Sequence, residues 1–398
     1  MPDQQPTTKP RAMTITDVAR EARVSVASVS RVVNGHANVT PATRKRILEV
    51  VERLRYVPDT AARSLITRRT HMIGVLLPDL YGGFFSELIR GVDTAARELQ
   101  LHLLLSSSHG DTKAMAAAIR AMRGRVEGLL VLAPQLEAGG LSELDAEVPM
   151  VFMNSRGDDG VSSSLSIDSY GGARAMVRHL VGEGHKTIAH VAGPVDNYDS
   201  HERERGYRDE LIAVLPSARP LVVRGDFTET SGYAAGRALG ARRSRPAAVF
   251  AANDGMAIGC MAALDALGLA VPRDIAVAGF DDIPLAAFVR PALTTMRVEI
   301  VELGRGAMLQ LADAIARPEG RRPVTTMLRP ELVVRESSRG APARGLVNQA
   351  PAASDRVHDE RDGHRKQSRT PDARRRAAAT TTRPQRRRAG RRTSAAKR

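Results

Sequence analysis

Two groups of residues in this chain have types and spacings suited to binding. Near the N-terminus Ala27, Ser28, Ser30 and Arg31 follow one another on a short run that ends at Asn34. An arginine there offers a two-pronged hydrogen bond to guanine, and the serines can reach phosphates or base edges. Thr43, Arg44 and the pair Lys45-Arg46 follow, placed to hold phosphate. The second group sits at the ends of apolar runs: Phe84 and Phe85, Asn154, Arg203, Phe227, Asn253 and Asp281. Aromatic faces mixed with amide, guanidinium and carboxylate tips suit a polyhydroxyl or purine-like ligand. No comparable set argues for catalysis. His102, His109, His179, His185 and His190 have no acid or nucleophile at a telling distance. The carboxylate pair in SRGDDG (155–160) reads as surface loop, and GGA at 171–173 is no dinucleotide fingerprint. No His or Cys cluster has zinc spacing, and the single cysteine, Cys260, reads as a packed thiol. We therefore expect no catalytic residue, no metal and no cofactor.

The first group needs helices, and their boundaries are written in the residues. Thr14 can cap a first helix, with Asp17 completing a capping box, and Ile15, Val18, Ala19 and Ala22 fall on one face. Ser25 can cap a second, Val26 to Asn34, with Val29, Val32 and Val33 inward and Gly35 ending it. Thr40-Pro41 opens a third with the apolar stripe Ile47, Val50, Val51 and Leu54. Two short helices joined by a tight turn, the second polar on its outer edge, make a helix-turn-helix whose second helix enters the major groove. Farther on, Asp59 can cap a short helix within 58–69 that has the small apolar edge Ala61, Ala62 and Leu65. So short a helix is unstable alone in water.

The runs DVAREARVSVASVSRVVNG, VTPATRKRI and YVPDTAARSL, in order and without gaps, resemble the DNA-binding headpiece of the lac repressor (LacI/GalR) family. The resemblance implies that Val26 and Ala27 choose operator bases. Both are small and apolar, so they read thymine methyls rather than hydrogen-bonding to base edges. It further implies that Thr14, Ser25, Ser28, Ser30, Arg31, Asn34, Thr43 and Arg44 lie on DNA. The segment 58–70 would be a hinge helix in the minor groove, with Ala62 and Leu65 against the bases and Leu65 wedged between central steps. One departure is Arg23, in a turn where the family usually has glycine or asparagine. A left-handed arginine costs about 1 kcal/mol, so the turn is expected to adjust without being lost.

Charge divides the chain. Residues 1–70 hold 13 Lys/Arg against 6 Asp/Glu, and residues 339–398 hold 18 against 5, so the total of +15 leaves −5 for 71–338. That is the distribution of a DNA-binding head on a ligand-sensing body. The tail 339–398 has almost no large apolar residues and reads as disordered. It is either a nonspecific DNA tether or a weakly selected extension of a chain with 53 Arg and 6 Lys. No apolar run approaches a membrane span, and the arm 1–13 has no signal-peptide core, so a cytoplasmic, membrane-free protein is expected.

From Met72 to Gly279 strands and helices alternate. Strands are expected at 72–77, 101–105, 128–132, 150–153, 188–192, 221–223, 248–251 and 275–279, and helices at 84–99, 113–122, from 171, 203–215, 231–239 and 255–267. Repeated βα units imply parallel sheets covered on both faces. Two series in succession imply two doubly wound halves with ligand in the crevice at their strand ends. This body, through about Ser337, also resembles the family's effector domain, which is itself similar to periplasmic sugar-binding proteins. The resemblance implies that Arg203, Asn253 and Asp281 touch effector, joined by Phe84, Phe85, Asn154 and Phe227. The expected fold is thus α/β: a helix-turn-helix headpiece (14–57), a hinge helix (58–70) and two doubly wound subdomains of the periplasmic-binding-protein type (71–338). The expected function is a homodimeric, ligand-responsive regulator of transcription on a near-palindromic operator of double-stranded DNA, most simply a repressor of carbohydrate or purine-like metabolism genes. Effector would shift the population between two lobe arrangements, as inducer or as corepressor. Two rivals are a nucleoid-type DNA binder using the tail and a soluble sugar-binding protein.

Overall fold

The computed structural model describes residues 13–34, 38–56, 69–134, 148–154, 162–317 and 322–339. Several expectations lie outside these residues: the arm up to residue 12, Gly35, the hinge helix with Ala62 and Leu65, the SRGDDG loop, and the tail from 340.

Three helices open the chain: α1 (Ile15–Glu21), α2 (Val26–Val33) and α3 (Pro41–Arg53). Thr14 accepts from the Asp17 amide while the Asp17 carboxylate takes the Thr14 N–H, a complete capping box. Ser25 caps α2 and Thr40 caps α3, which begins on Pro41. Helix α2 closes one residue earlier than expected, with Asn34 as its C-terminal cap. Val18, Val29 and Ile47, one from each helix, are fully buried together. Arg23 is left-handed at φ 52°. Its N–H reaches the Arg20 carbonyl and that of Val24 reaches Ala19, the paired bonds that close a helix around a left-handed residue. The turn is intact, and the strain stays on the arginine.

The body has two lobes. In the first, six parallel strands run in the order β11-β5-β4-β3-β1-β2, with β1 Met72–Leu77, β2 His102–Ser107, β3 Gly128–Leu132, β4 Met150–Met153, β5 Ser163–Ile167 and β11 Thr325–Leu328. Helix α4 (Gly83–Glu98) and helix α10 (Ile300–Ala316) cover one face, and α5 (Thr112–Met122) the other. In the second lobe the order is β7-β6-β8-β9, again parallel: β6 Ile188–Ala192, β7 Leu221–Arg224, β8 Ala248–Ala251 and β9 Ala276–Ala278. Helices α6 (Ser169–Gly182) and α7 (Tyr198–Val214) pair on one face, and α8 (Glu229–Gly240) and α9 (Asp254–Ala266) on the other.

Alternation explains why these short apolar runs are strands. Val75 and Leu77 enter one core while Leu76 enters another; Ala248 and Phe250 face one way, Val249 and Ala251 the other. Both faces are covered, so the run reads as continuously apolar. Helices approach closely where glycines meet carbonyls: a β-carbon on Gly91 of α4 would strike the Val301 carbonyl, and one on Gly304 of α10 that of Leu88.

The succession of two halves needs one correction. After β9 the chain lays down β10 (Thr295–Arg297), returns to the first lobe as α10 and β11, then crosses again as β12 (Glu331–Val333), antiparallel to β10. The strands and helices expected from the sequence include neither β5 nor any element after Gly279. Helix α7 also starts at Tyr198 rather than Arg203, because Asn197 accepts from the Ser200 amide and caps it. Among the described residues no helix is long and apolar enough to cross a membrane, and no group of His, Cys, Asp or Glu is placed to hold a metal ion. Cys260 is buried, its thiol pushed up to about 12 by burial.

Candidate functional site

The C-terminal ends of the parallel strands in both lobes open on one cavity of about 440 Å³. All seven residues of the second sequence group line it. Phe84, Phe85 and Asn154 come from the first lobe; Arg203, Phe227, Asn253 and Asp281 come from the second.

Each is set by its local fold. Phe84 and Phe85 occupy the first turn of α4, their rings edge to face with centroids 5.7 Å apart. Asn154 ends β4 in a left-handed conformation, φ 44°, 3% exposed, and among the described residues its Oδ1 has no hydrogen-bond partner. Asn253 is committed at both ends: Oδ1 caps α9 through the Met256 amide at 2.9 Å, and Nδ2 donates to the Phe227 carbonyl at 2.9 Å. It shapes the wall and holds Phe227, which sits at φ 71° with its ring over Gly193. Asp281, at φ 109°, is 4% exposed. With His109 at φ 49°, four non-glycine residues of positive φ line the cavity, a concentration of backbone strain of the kind found at binding sites.

Arg203, 3% exposed, is the only guanidinium on this wall among the described residues. Its Nε donates to Ser169 Oγ at 3.3 Å and its Nη1 to the Ala252 carbonyl at 2.5 Å. Nη2 lies 3.2 Å from Asp281 Oδ1, without completing a hydrogen bond to it. Its Cζ stands 3.8 Å from the centre of the Phe280 ring, a cation–π contact. Burial raises the Asp281 carboxyl to about 7 against the pull of Arg203, and the nearby Asp199 charge adds to the rise. Burial also raises Asp199, which Ser169 Oγ holds at 2.8 Å. Two buried acids therefore share one cation, and a ligand donor would complete the set.

Asp199 was missed from the sequence, although its place four residues before Arg203 puts both on one face of a helix. Tyr81, His109, Asp226 and Ile283 also line the cavity. His190, left unassigned, is wholly buried against Tyr207 and Phe250, with Nδ1 2.9 Å from the Phe250 carbonyl; burial lowers it to about 4.

The first sequence group occupies the outer face of α2. Val26 is 42% exposed, Ala27, Arg31 and Asn34 are exposed, and Val29 and Val32 face inward. Ser25 Oγ lies 2.9 Å from Ser28 Oγ, and Asn34 Nδ2 donates to Ser30 Oγ at 3.2 Å. Thr43, half-buried, takes a 3.0 Å bond from Thr40, and Arg44 is half-buried beside it. Thr14, Ser25 and Thr40 thus serve first as caps.

Residues 14–59 match the model of the lacI family of bacterial regulatory proteins, and 177–338 match the periplasmic binding protein-like domain. Catabolite control protein A of Priestia megaterium is 36% identical over 300 residues, covering 74% of this chain and 90% of that protein. The ribose operon repressor of Escherichia coli K12 is 37% identical over 309 residues, covering 77% and 94%. The chain belongs to the lacI family. Its fold is that of the lac repressor dimer solved on operator with the anti-inducer ONPF: TM-score 0.73, 28% identity, 82% of this chain and 99% of that one. As a lacI-family protein it is a ligand-responsive, DNA-binding regulator of transcription. The edge of α2 that carries Val26, Ala27 and Arg31 is exposed, and the crevice between the lobes has room for a small molecule.

Proposed function

We propose that this protein is a repressor of carbohydrate-metabolism genes, acting as a homodimer whose grip on a near-palindromic operator is set by a sugar-like effector in the crevice. The observation that carries the reading is the meeting of Phe84, Phe85, Asn154, Arg203, Phe227, Asn253 and Asp281, from distant parts of the chain, on one cavity between two lobes. The relatives add support: one controls a ribose operon, and the lac repressor is solved as a dimer on operator. In this reading residues 14–57 read DNA, 58–70 form the hinge with Ala62 and Leu65, and 71–338 sense ligand and pair the protomers. Val26 and Ala27 choose bases while Ser28, Ser30, Arg31, Thr43 and Arg44 hold the backbone or flanking edges. Effector bound between the lobes favours one lobe arrangement over another, and the two headpieces follow. The protein works in the cytoplasm and carries out no catalysis.

Selection of bound DNA from a random pool tests this, followed by a ligand screen on the purified complex. The expected result is a two-fold-symmetric sequence whose binding changes with at least one sugar. Enrichment of no sequence would sink the reading in favour of a general DNA binder.

A further inference from the structure

Resting on the crevice reading above, we propose that the ligand is not anionic: it is an uncharged or amino-bearing polyhydroxyl compound, and its phosphorylated or carboxylated forms are rejected. Six carboxylates line the cavity among the described residues, from Asp79, Asp196, Asp199, Asp226, Glu229 and Asp281. Against them stands one guanidinium, and it is occupied. Arg203 donates through Nε to Ser169 and through Nη1 to the Ala252 carbonyl, its Nη2 lies 3.2 Å from Asp281, and its face is on the Phe280 ring. Nε and Nη1 are thus engaged and Nη2 already faces a carboxylate, so the two-pronged approach by which arginine ordinarily selects a phosphate or carboxylate would have to displace these contacts.

Helix N-termini are the other common anion holders, and here three of them already have a side-chain cap. Helices α7, α8 and α9 are capped by Asn197, Thr228 and Asn253 and carry Asp199, Glu229 and Asp254 in their first turns. Helix α4 opens at Gly82 without a side-chain cap, but Asp79 stands beside it, accepting from the Leu80 and Tyr81 amides. Among the described residues, two buried acceptors in the wall lack a hydrogen-bond donor. Asn154 Oδ1 is buried with no partner, and Asp281 Oδ1 has its arginine close by but no hydrogen bond. Buried acceptors without donors call for a ligand that supplies O–H or N–H groups, and the Phe84, Phe85 and Phe227 rings suit the apolar faces of a sugar ring.

Thermal shift and calorimetry on the full chain at pH 8 test the proposal, with glucose, ribose, cellobiose and glucosamine against glucose 6-phosphate, ribose 5-phosphate and glucuronate. The expected result is stabilisation by at least one of the first four, and binding at least tenfold weaker for the anionic compounds. Stabilisation by a phosphate or by glucuronate, or by none of the first four, overturns it. Asn154→Ala and, separately, Phe85→Ala identify the cause. If an anionic compound binds and either variant, folded by its own melting curve, loses it, the crevice is the site and the charge argument alone is wrong. If both folded variants bind as before, the ligand sits elsewhere and the crevice reading fails with it.

Discussion

Arg203 and Asp281 approach to 3.2 Å at the floor of the crevice, yet the arginine is held mainly by three other groups: Ser169, the Ala252 carbonyl and the Phe280 ring. The aspartate is the partner with a choice, since it can carry its charge or a proton. Removing the cation while leaving the acids buried costs roughly 3–5 kcal/mol for a pair of this kind. We expect Arg203→Ala to lose that much at pH 8, less at pH 6 where Asp281 protonates, and to abolish the ligand response while operator affinity stays. Denaturant melts at the two pH values check it; equal losses at both would show that Asp281 does not respond to the arginine.

The pH dependence has a definite sign. An acid raised from 3.8 to about 7 on folding contributes stability that is full below pH 4 and is lost as pH rises through 7. The decline should be shallower in Asp281→Asn. A ligand hydroxyl donating to this carboxylate favours its charged form, so binding near pH 7 should release protons. Calorimetry in buffers of different ionisation heat would reveal this, and a binding heat independent of buffer would contradict it.

On the headpiece, Val26 and Ala27 stand outward where Val29 and Val32 stand inward. Substituting the first pair should change which operator is preferred, each altered base pair being worth about 1–3 kcal/mol, and leave the melting temperature nearly unchanged. An unchanged ranking of operators, measured by competition binding, would place the base-reading register elsewhere on α2.

Gly91 and Gly304 let α4 and α10 touch through their backbones. Gly91→Ala should destabilise the body by about 1–3 kcal/mol through overpacking. Gly182→Ala, at the end of α6 with open space around it, should be neutral or stabilising by up to about 1 kcal/mol. Urea titrations of both variants decide; two equal results would mean that the helix crossing yields freely.

Much of this was legible in the residues because the cues are local. Caps at Thr14, Ser25 and Thr40 and the runs at 72–77, 128–132, 150–153, 188–192 and 248–251 fall where the structure has them. What was illegible depends on distant partners. Strand β5, SSLSI, has serine at three of its five positions and is held as a strand by pairing with β4 and β11 on either side. Asn253 was chosen for its amide, but only the fold shows both ends of that amide bonded within the protein. Asp199 needed the burial of α7 before it could be seen as a second acid on Arg203.

The chain passes between its lobes three times: from β5 to α6, from β10 to α10, and from β11 to β12. The lobes are therefore not interchangeable cassettes. A headpiece can be exchanged at one junction, but moving a single lobe into a relative would require three, all in register. A cut just after Arg297 would strip the first lobe of α10 and β11 and the second of β12 together. For anyone building hybrid sensors from this protein, the unit of inheritance is the whole clamshell.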